Sequence, residues 1–577
     1  MSRPSNRRPQ PGGLRPDVLM WSVLAGIVLL VAAVIYAGVK WGHAWAGLPR
    51  TTPNDPFELG KQLAQGEVAW PVHSTWVVVI AALGLLLAAI LAGMVWQQTR
   101  NRGSRVDSSA AVLGRGRDII NLTEKSTKEA AQRLTIDAQR CGPGIPIGRA
   151  VPSGQMLYGS WEDIHIDVWG PRTGKTTSRA IPALLAAPGA AIATSNKRDL
   201  LDATRDVRAK KGRVWVFDPQ GVAGESASWW WNPLDTVTDE RSAAELAEHF
   251  GSAGRSLDAK TDSYFDPAAE TLLANLFLAA AVTQRPITDC WTWLSRPTDE
   301  EPADILTQHG FPLKGEELRA TMQTPDKQKQ GIYGTARQMA STLTHKSIAR
   351  WVTRSGRHEL RPKFDAKAFA RSNDTLYALS REGAGNASAL VTALTAATTH
   401  AAETYASASA GGRLPIPMVI CLDETGNVVR WKRLPEYASF FGSKGLVLLS
   451  IFQSWSQGVR CFTEPGMRAL WSASNVKVFG GGVSEGPFLE ELSKLAGDYD
   501  KETRSINYGH GRRSVSHQLQ RERILTVGDL ASMPPGRALV LASGSRPTLV
   551  KTVPWMDGKH AKAVRASIKA HDPAPAS

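Results

Sequence analysis

IHIDVWGPRTGKTTSRAI, residues 164–181, decides the fold because three local patterns follow one another in it. An apolar run suited to a buried strand leads into a short loop with Gly170 and Gly174, and a helical pattern follows. Backbone N–H groups in such a loop and in the first helical turn bind phosphates. The stretch therefore predicts a nucleotide-binding strand–loop–helix unit at the start of an α/β domain.

The residues of this loop have distinct predicted roles. Lys175 is expected to reach the terminal phosphates of ATP, and the Thr176 hydroxyl is expected to hold Mg²⁺. The other residues expected to surround the nucleotide are Gly170, Pro171, Arg172, Thr173, Gly174 and Thr177. The usual spacing GxxxxGK[ST] would place its first glycine at position 169, where this chain has Trp169. Either the loop is one residue short or that glycine is replaced; the alternative to a nucleotide site is a plain strand–turn–helix.

A second acidic motif follows another apolar strand, MVICL (Met418–Leu422). Asp423 is placed to hold Mg²⁺, and Glu424 is placed to polarise the water that attacks the γ-phosphate. The next apolar run ends at Gln453, which is expected either to sense the γ-phosphate or to cap the strand. A strand-terminal Asp–Glu pair is weak evidence alone, but in this chain order with GKT it indicates a P-loop ATPase.

Apolar runs that alternate with helical patterns predict a mainly parallel sheet with helices on both faces, as in a RecA-like P-loop domain. The predicted strands are 164–169, 190–194, 214–217, 375–379, 418–422 and 445–452. Residues 235–362 show helical periodicity without strand candidates, which predicts an all-helical domain inserted into the ATPase domain. The ATPase domain would then comprise 159–234 and 363–556.

Two apolar runs near the N-terminus predict membrane-spanning helices, at about 18–39 and 76–96. Each is long enough to cross the hydrocarbon core of a bilayer. Arginines precede the first run and follow the second, so both termini are expected in the cytoplasm. A signal peptide is the alternative for the first run, whose apolar stretch is long for that role. Residues 1–110 are thus a predicted multi-pass domain of the cell membrane, and 111–158 a predicted linker.

The net charge of +15 favours an anionic partner, either nucleic acid or a phospholipid surface, although basic residues beside membrane spans can serve topology alone. GHGRRSVSHQLQRER (509–523) is expected to be a loop that follows a phosphate backbone or a solvated loop. The basic tail, 557–577, is expected to be solvated or at most an amphipathic helix. Four distant cysteines without a CxxC pair favour neither a zinc site nor a disulfide framework.

With these motifs in place, the chain resembles the type IV secretion coupling proteins, the TraG/TraD-like branch of the FtsK/HerA ATPases. The resemblance extends from about residue 15 to 556. Besides the ATPase motifs and the N-terminal runs, the segments that carry it are Val216–Gly221, Trp231–Asp235, Ser263–Leu273, Leu422–Gln457, Asn475–Gly481, Leu492–Tyr499 and Leu530–Leu541. High usage of Ala, Arg, Gly and Trp is typical of a GC-rich bacterial genome, such as that of an actinobacterium.

The resemblance implies a hexameric ring that hydrolyses ATP with Mg²⁺ at subunit interfaces. It also implies recognition of single-stranded DNA bound to a relaxase, within a relaxosome, and delivery to the components of a type IV secretion channel. The family's trans-acting arginine has no clear counterpart. Lys444 is the basic residue nearest to the position at which the family has this arginine, and Arg430 and Arg433 are alternatives. A coupling ATPase that selects protein effectors, and a chromosome translocase of the FtsK type, are alternative functions.

Overall fold

The structure is a computed structural model and describes residues 33–47, 53, 55–68, 70, 72–100, 104–253, 262–356, 358–381, 387–509 and 512–573. The chain divides into two compact units, Met1–Gly103 and Ser104–Ser577. All residues of the predicted nucleotide site belong to the second unit.

An eleven-stranded sheet forms the centre of the second unit. The strands of the unit are β1 Ile145–Ala150, β2 Met156–Gly159, β3 His165–Val168, β4 Ala191–Ser195, β5 Val214–Phe217, β6 Thr375–Leu379, β7 Met418–Leu422, β8 Leu446–Phe452, β9 Val476–Phe479, β10 Asp498–Gly509, β11 Arg512–Arg523, β12 Arg537–Ala542 and β13 Thr548–Lys551. The order in the large sheet is β2-β1-β13-β12-β9-β3-β8-β7-β4-β6-β5. From β9 to β5 all neighbouring strands are parallel.

The six strands predicted from apolar runs are all present, as β3 to β8. They are recognisable because a parallel strand covered on both faces needs apolar residues at nearly every position. In β7 and β8 every residue is buried. β8 lies between β3 and β7, so it separates the strand before the GKT loop from the strand that directly precedes Asp423. The carboxyl ends of these three strands meet at one edge of the sheet.

Helices cover both faces of this sheet. In the second unit they are α4 Arg105–Ser109, α5 Glu124–Arg133, α6 Ala138–Cys141, α7 Ile181–Ala186, α8 Asp199–Ala209, α9 Glu240–Ala253, α10 Phe265–Val282, α11 Asp289–Leu294, α12 Glu301–Gln308, α13 Pro312–Met322, α14 Asp326–Met339, α15 Lys346–Val352, α16 Ala366–Ala370, α17 Ser388–Ser407, α18 Thr425–Val428, α19 Leu434–Lys444, α20 Trp455–Ala473, α21 Gly486–Ala496, α22 Val527–Ala531 and α23 Ala561–His571. In the first unit, residues 33–45 are helical (α1), followed by α2 Pro56–Ala64 and α3 Val72–Arg100.

The described residues between β5 and β6 form helices and no strand. Helix α10 is the centre of this region, since Leu272, Leu273 and Phe277 are buried in it. Its core is continuous with the core on one face of the sheet, where one cluster of buried residues includes both Phe277 and Ile166. The limits 235 and 362 of a separate helical domain therefore remain a prediction.

One described helix, α10, is long and apolar enough to cross a membrane, and 56% of it is buried. This burial fits a core helix of the second unit. The second predicted span, 76–96, lies within α3, in which Val72–Gly84 is an apolar segment shorter than a membrane span. Most of the first predicted span, 18–39, lies outside the described residues.

The prediction that residues 111–158 form a linker is wrong for the last third of this range. β1 pairs with β2 and with β13, and so adds the chain from Ile145 onward to the sheet. β12 and β13 continue the sheet with antiparallel pairing next to β9. The sequence IPIGRA of β1 hides this strand because proline and glycine interrupt its apolar pattern, and its partner β13 lies some 400 positions further along the chain.

The basic tail is also ordered differently from the prediction. Residues of α23 pack against α8, with Val564 buried and the Ser567 hydroxyl donating to the Asp202 carbonyl over 2.6 Å. At its end, His571 lies 2.9 Å from a carboxylate oxygen of Asp206. Residues Ala561–His571 of the tail are therefore a docked helix rather than a solvated segment.

Within the basic segment 509–523, residues Arg512–Arg523 form a strand rather than a loop. β10 and β11 form an antiparallel hairpin that constitutes a two-stranded sheet of its own. The sequence pattern did not predict it because neither strand has an alternating apolar face that a larger sheet would bury.

Candidate functional site

The GKT loop begins one residue later than the usual motif. The Trp169 N–H donates to the Phe452 carbonyl over 2.9 Å, which extends the pairing of β3 with β8 by one residue. The Gly170 N–H then donates to the Gly481 carbonyl, also over 2.9 Å. Trp169 directly follows β3 and is fully buried, so it continues the strand pairing rather than forming part of the loop. Of the two explanations for the unusual spacing, the structure favours the shorter loop.

Two glycines, at positions 170 and 174, allow this loop to be tight. A Cβ atom on Gly170 would lie 1.9 Å from the Gly482 carbonyl oxygen, so position 170 has no room for a side chain. Gly174 has φ +89°, a conformation that favours glycine, and it leads directly into Lys175 and the helical turn Thr176–Ala180. The N–H groups at the start of this turn lack helical acceptors and can bind phosphate oxygens.

Replacing Gly480 by alanine is expected to destabilise the protein by about 1–3 kcal/mol, the usual cost of overpacking. The new Cβ would lie 2.0 Å from the indole ring of Trp169, which supports the start of the loop. We expect weaker binding of ATP as well, because the neighbouring Gly481 carbonyl holds Gly170. Denaturant unfolding and titration with a fluorescent ATP analogue measure the two effects. Gly486→Ala is the matched control, since a Cβ there meets nothing within 4 Å; an equal loss in both variants would contradict the prediction.

Asp423 and Glu424 stand opposite Lys175 and Thr176 at the carboxyl edge of the sheet. The Thr176 hydroxyl donates to Asp423 Oδ2 over 3.0 Å, and Lys175 Nζ lies 3.9 Å from Asp423 Oδ1. Lys175 forms a direct ion pair with Glu424. The four residues predicted from two separate motifs are therefore adjacent, although they lie about 250 positions apart in the sequence.

Glu424 is held by more than the lysine. Gln453 Nε2 donates to its Oε2 over 2.6 Å, and Asn427 Nδ2 lies 3.5 Å from the same oxygen. The backbone of Glu424 adopts the left-handed conformation, φ 58° and ψ 44°. Few residues other than glycine adopt this conformation, and it is concentrated at functional sites, where the surrounding structure enforces it.

Asp423 has a buried carboxyl group that could bind a cation. Burial raises the pKa of its carboxyl group to about 6, Lys175 acts in the opposite direction, and Glu424 adds to the increase. Its Oδ1 is buried without a hydrogen-bond partner among the described residues. A buried carboxylate oxygen without a donor, next to the Thr176 hydroxyl, fits Mg²⁺, which binds few protein oxygens and retains several waters.

Sequence reasoning missed the residues that support this centre. Gln457 Nε2 donates to Asn427 Oδ1 over 2.7 Å, and Gln457 Oε1 accepts from the Gln453 backbone N–H over 2.8 Å. The Thr194 hydroxyl, at the end of β4, donates to the Asp423 carbonyl over 3.3 Å. The spacing of three residues from Glu424 to Asn427, and of four from Gln453 to Gln457, was the available signal.

The basic residues predicted as trans-acting candidates lie elsewhere. Lys444 precedes β8, at the opposite edge of the sheet, and donates to the Ser407 hydroxyl over 2.9 Å. Arg433 forms an ion pair of 2.6 Å with Glu245 of α9. The Arg430 backbone N–H donates to the Thr392 hydroxyl. Within one chain, therefore, Lys444 does not reach the nucleotide site.

A buried ion pair lies beneath the loop. Arg179, on the helical turn after Lys175, donates from Nε to Asp167 Oδ2 over 2.6 Å and from Nη2 to Oδ1 over 3.2 Å. Its Nη1 donates to the Pro146 carbonyl of β1 over 2.5 Å, and Nη2 lies 3.2 Å from His165 Nδ1. Arg179, Asp167 and His165 are fully buried. One guanidinium thus joins the helical turn after Lys175 to β3 and to β1.

Comparisons with known proteins give one family match and several similar folds. Residues 417–535 match the family described as the TraM recognition site of TraD and TraG. The unbound bacterial conjugative coupling protein TrwBdeltaN70 has a similar fold, with a TM-score of 0.52 at 15% identity, over 74% of this chain and 92% of that one. The plasmid coupling protein TrwB bound to the non-hydrolysable ATP analogue ADPNP gives a TM-score of 0.51 at 14% identity, over 75% and 92%. No curated protein sequence matches the chain.

The predicted resemblance to type IV coupling proteins is confirmed by the matched segment and by the shared fold. The predicted α/β fold with a large, mainly parallel sheet is confirmed as well. An actinobacterial source remains a prediction from composition.

Proposed function

We propose that this protein is a membrane-anchored ATPase that couples DNA in a relaxosome to a type IV secretion channel and drives its transfer in conjugation. The observation that carries the proposal is a connected set of side chains: Lys175 and Gln453 contact Glu424, and Thr176 contacts the adjacent Asp423. These residues lie in a chain whose fold is similar to that of a plasmid coupling protein in complex with an ATP analogue.

The proposed chemistry assigns one role to each residue of the site. The loop Gly170–Thr177 binds the phosphates of ATP, and Lys175 exchanges its ion pair with Glu424 for the terminal phosphates. Thr176 and Asp423 would hold Mg²⁺, which when bound neutralises charge on the phosphate oxygens. Glu424, released from Lys175, orients the attacking water and accepts its proton. Gln453, hydrogen-bonded to Glu424, reports the state of the γ-phosphate to α20.

Assembly and anchoring complete the proposal. Two membrane spans, at about 18–39 and 76–96, would hold the chain in the cell membrane with both termini in the cytoplasm. Six copies would form a ring with ATP between neighbours. Lys444 lies at the edge of the sheet remote from its own site, so it can serve only a neighbouring subunit; Arg430 and Arg433 are the other candidates for the trans-acting cation.

ATP turnover by the full-length protein in detergent, with and without single-stranded DNA, tests this function. We expect single-stranded DNA to increase turnover several-fold, because a motor that moves DNA couples closure of its ATP sites to its substrate. The Glu424→Gln variant, prepared in the same way, corrects for contaminating ATPases. Turnover that does not respond to DNA would contradict DNA transfer and favour the alternative of a coupling ATPase that selects protein effectors.

A further inference from the structure

The hairpin β10–β11 is an arm that pairs with no other strand among the described residues. Its two strands pair along their whole length, from Asp498 opposite Arg523 to Gly509 opposite Arg512. At about 3.4 Å per residue, twelve residues extend for roughly 40 Å. The base is fixed to α21, since Arg523 lies 3.1 Å from a carboxylate oxygen of Glu490 and donates to the Ser493 hydroxyl over 3.0 Å.

Charge is separated along this arm. At the base, acidic and basic residues neutralise one another, because Asp498 lies 3.3 Å from Arg521 and Glu522 lies 3.2 Å from Lys501. Beyond the base, residues 503–518 include three arginines and two histidines but no aspartate or glutamate. The outer part of the hairpin is therefore positive, and the protein supplies no acidic residue within it.

The pairing register sorts the outer residues into two faces, because directly opposed residues of an antiparallel pair share one face. Arg504 pairs with His517, Ile506 with Val515, and Tyr508 with Arg513. We call this set the basic hairpin face. The opposite face has the pairs Thr503 with Gln518, Ser505 with Ser516, Asn507 with Ser514, and Gly509 with Arg512.

We propose that the basic hairpin face binds the backbone of single-stranded nucleic acid, with Tyr508 stacking on a base. The proposal rests on the proposed DNA transfer and names a surface that grips the strand. Positive residues interleaved with an aromatic ring are the usual composition of surfaces for single strands, in which bases are free to stack. A docking face for an apolar protein segment would need more than the single aliphatic pair, Ile506 and Val515, found here.

The test is binding of a fluorescent oligo-dT by the full-length protein in detergent, measured by fluorescence anisotropy over a range of salt concentrations. For Arg504→Gln/Arg513→Gln we expect about tenfold weaker binding at low salt. We also expect a salt dependence that is less steep by about 1.4 in log Kd against log salt, since each phosphate contact in a single strand contributes about 0.7. Tyr508→Ala is expected to weaken binding without changing the salt dependence.

Lys562→Gln/Arg565→Gln is the matched control, because it removes the same charge from exposed positions of α23. Equal losses in the control and in the hairpin variant would overturn the proposal, as would unchanged binding by the hairpin variant. Equal competition by polyglutamate and by unlabelled oligo-dT would overturn it too, since polyglutamate offers charge without bases.

The outcomes separate this proposal from the proposed function. If the unaltered protein binds no oligo-dT, DNA transfer itself fails. If it binds, and the hairpin variant binds equally well, only the assignment of the surface fails. Binding of a fluorescent ATP analogue by each variant checks folding, because the altered positions lie outside the nucleotide site.

Discussion

The Glu424→Gln variant is expected to hydrolyse ATP about 10²–10⁴-fold more slowly than the unaltered protein, the usual contribution of a general base. Its affinity for Mg·ATP should change little, because glutamine keeps an oxygen that accepts from Gln453 and because Thr176 and Asp423 are untouched. The variant also loses the ion pair that holds Lys175 before ATP binds. Any small change in its affinity for ATP should therefore be an increase. Turnover and the affinity for a fluorescent ATP analogue, measured on the same preparation, check both expectations.

Two further variants separate the role of Glu424 from general damage to the site. Lys175→Ala is expected to lose affinity for ATP as well as turnover, since Lys175 is assigned to the phosphates. Asn427→Ala should have a smaller effect on turnover, because Asn427 contacts Glu424 only at 3.5 Å. Turnover by Glu424→Gln within threefold of the unaltered protein would remove Glu424 as the base and leave the left-handed conformation at this position without a catalytic explanation.

The centre of this site was predictable because its signals are local. Lys175 and Thr176 follow one buried strand, Asp423 and Glu424 follow another, and Gln453 ends the strand between them. Parallel strands with ends at one edge bring such residues together, so the motifs and the apolar runs sufficed. The shorter loop could not be settled from spacing, because the packing of Trp169 against Gly480 decides it, and Gly480 lies in a distant part of the sequence.

The antiparallel part of the sheet and the hairpin were missed for different physical reasons. β1 pairs with β13 across most of the chain, and this pairing leaves no local trace in a strand interrupted by proline and glycine. β10 and β11 pair with each other along their length, but their sequences lack the alternation of apolar residues that predicts a strand. The trans-acting cation depends on a neighbouring copy, which no pattern within one chain specifies.

The Arg179→Met variant is expected to lose about 3–5 kcal/mol of stability, the usual cost of leaving one buried charge without its partner. Methionine fills much of the arginine volume, so the loss comes from Asp167, whose carboxylate would retain no cation in a fully buried position. The carbonyl of Pro146 would lose its donor at the same time. Denaturant unfolding of both proteins, followed by tryptophan fluorescence, gives the difference in the free energy of unfolding.

The pH dependence of this loss distinguishes a charge effect from a packing defect. Burial already raises the pKa of Asp167, and Arg179 opposes that increase. Without Arg179 the pKa of the folded protein should rise further above that of the unfolded chain. An acid with a higher pKa in the folded state binds protons on folding, so the stability of the variant should increase as the pH falls from 7 toward 5, relative to the unaltered protein. A deficit that stays constant over this range would indicate lost packing.

The double variant Asp167→Leu/Arg179→Met separates the effect of the ion pair on stability from its effect on nucleotide affinity. Replacing both partners of a buried ion pair by apolar residues is often neutral or even stabilising, so it should be more stable than Arg179→Met alone. Its affinity for ATP should nevertheless stay below that of the unaltered protein, because Arg179 also ties the helical turn after Lys175 to β1 through the Pro146 carbonyl. Recovery of stability without recovery of nucleotide affinity would show that this buried pair positions the helical turn after Lys175. Recovery of both would show that it is only a compensated pair of charges.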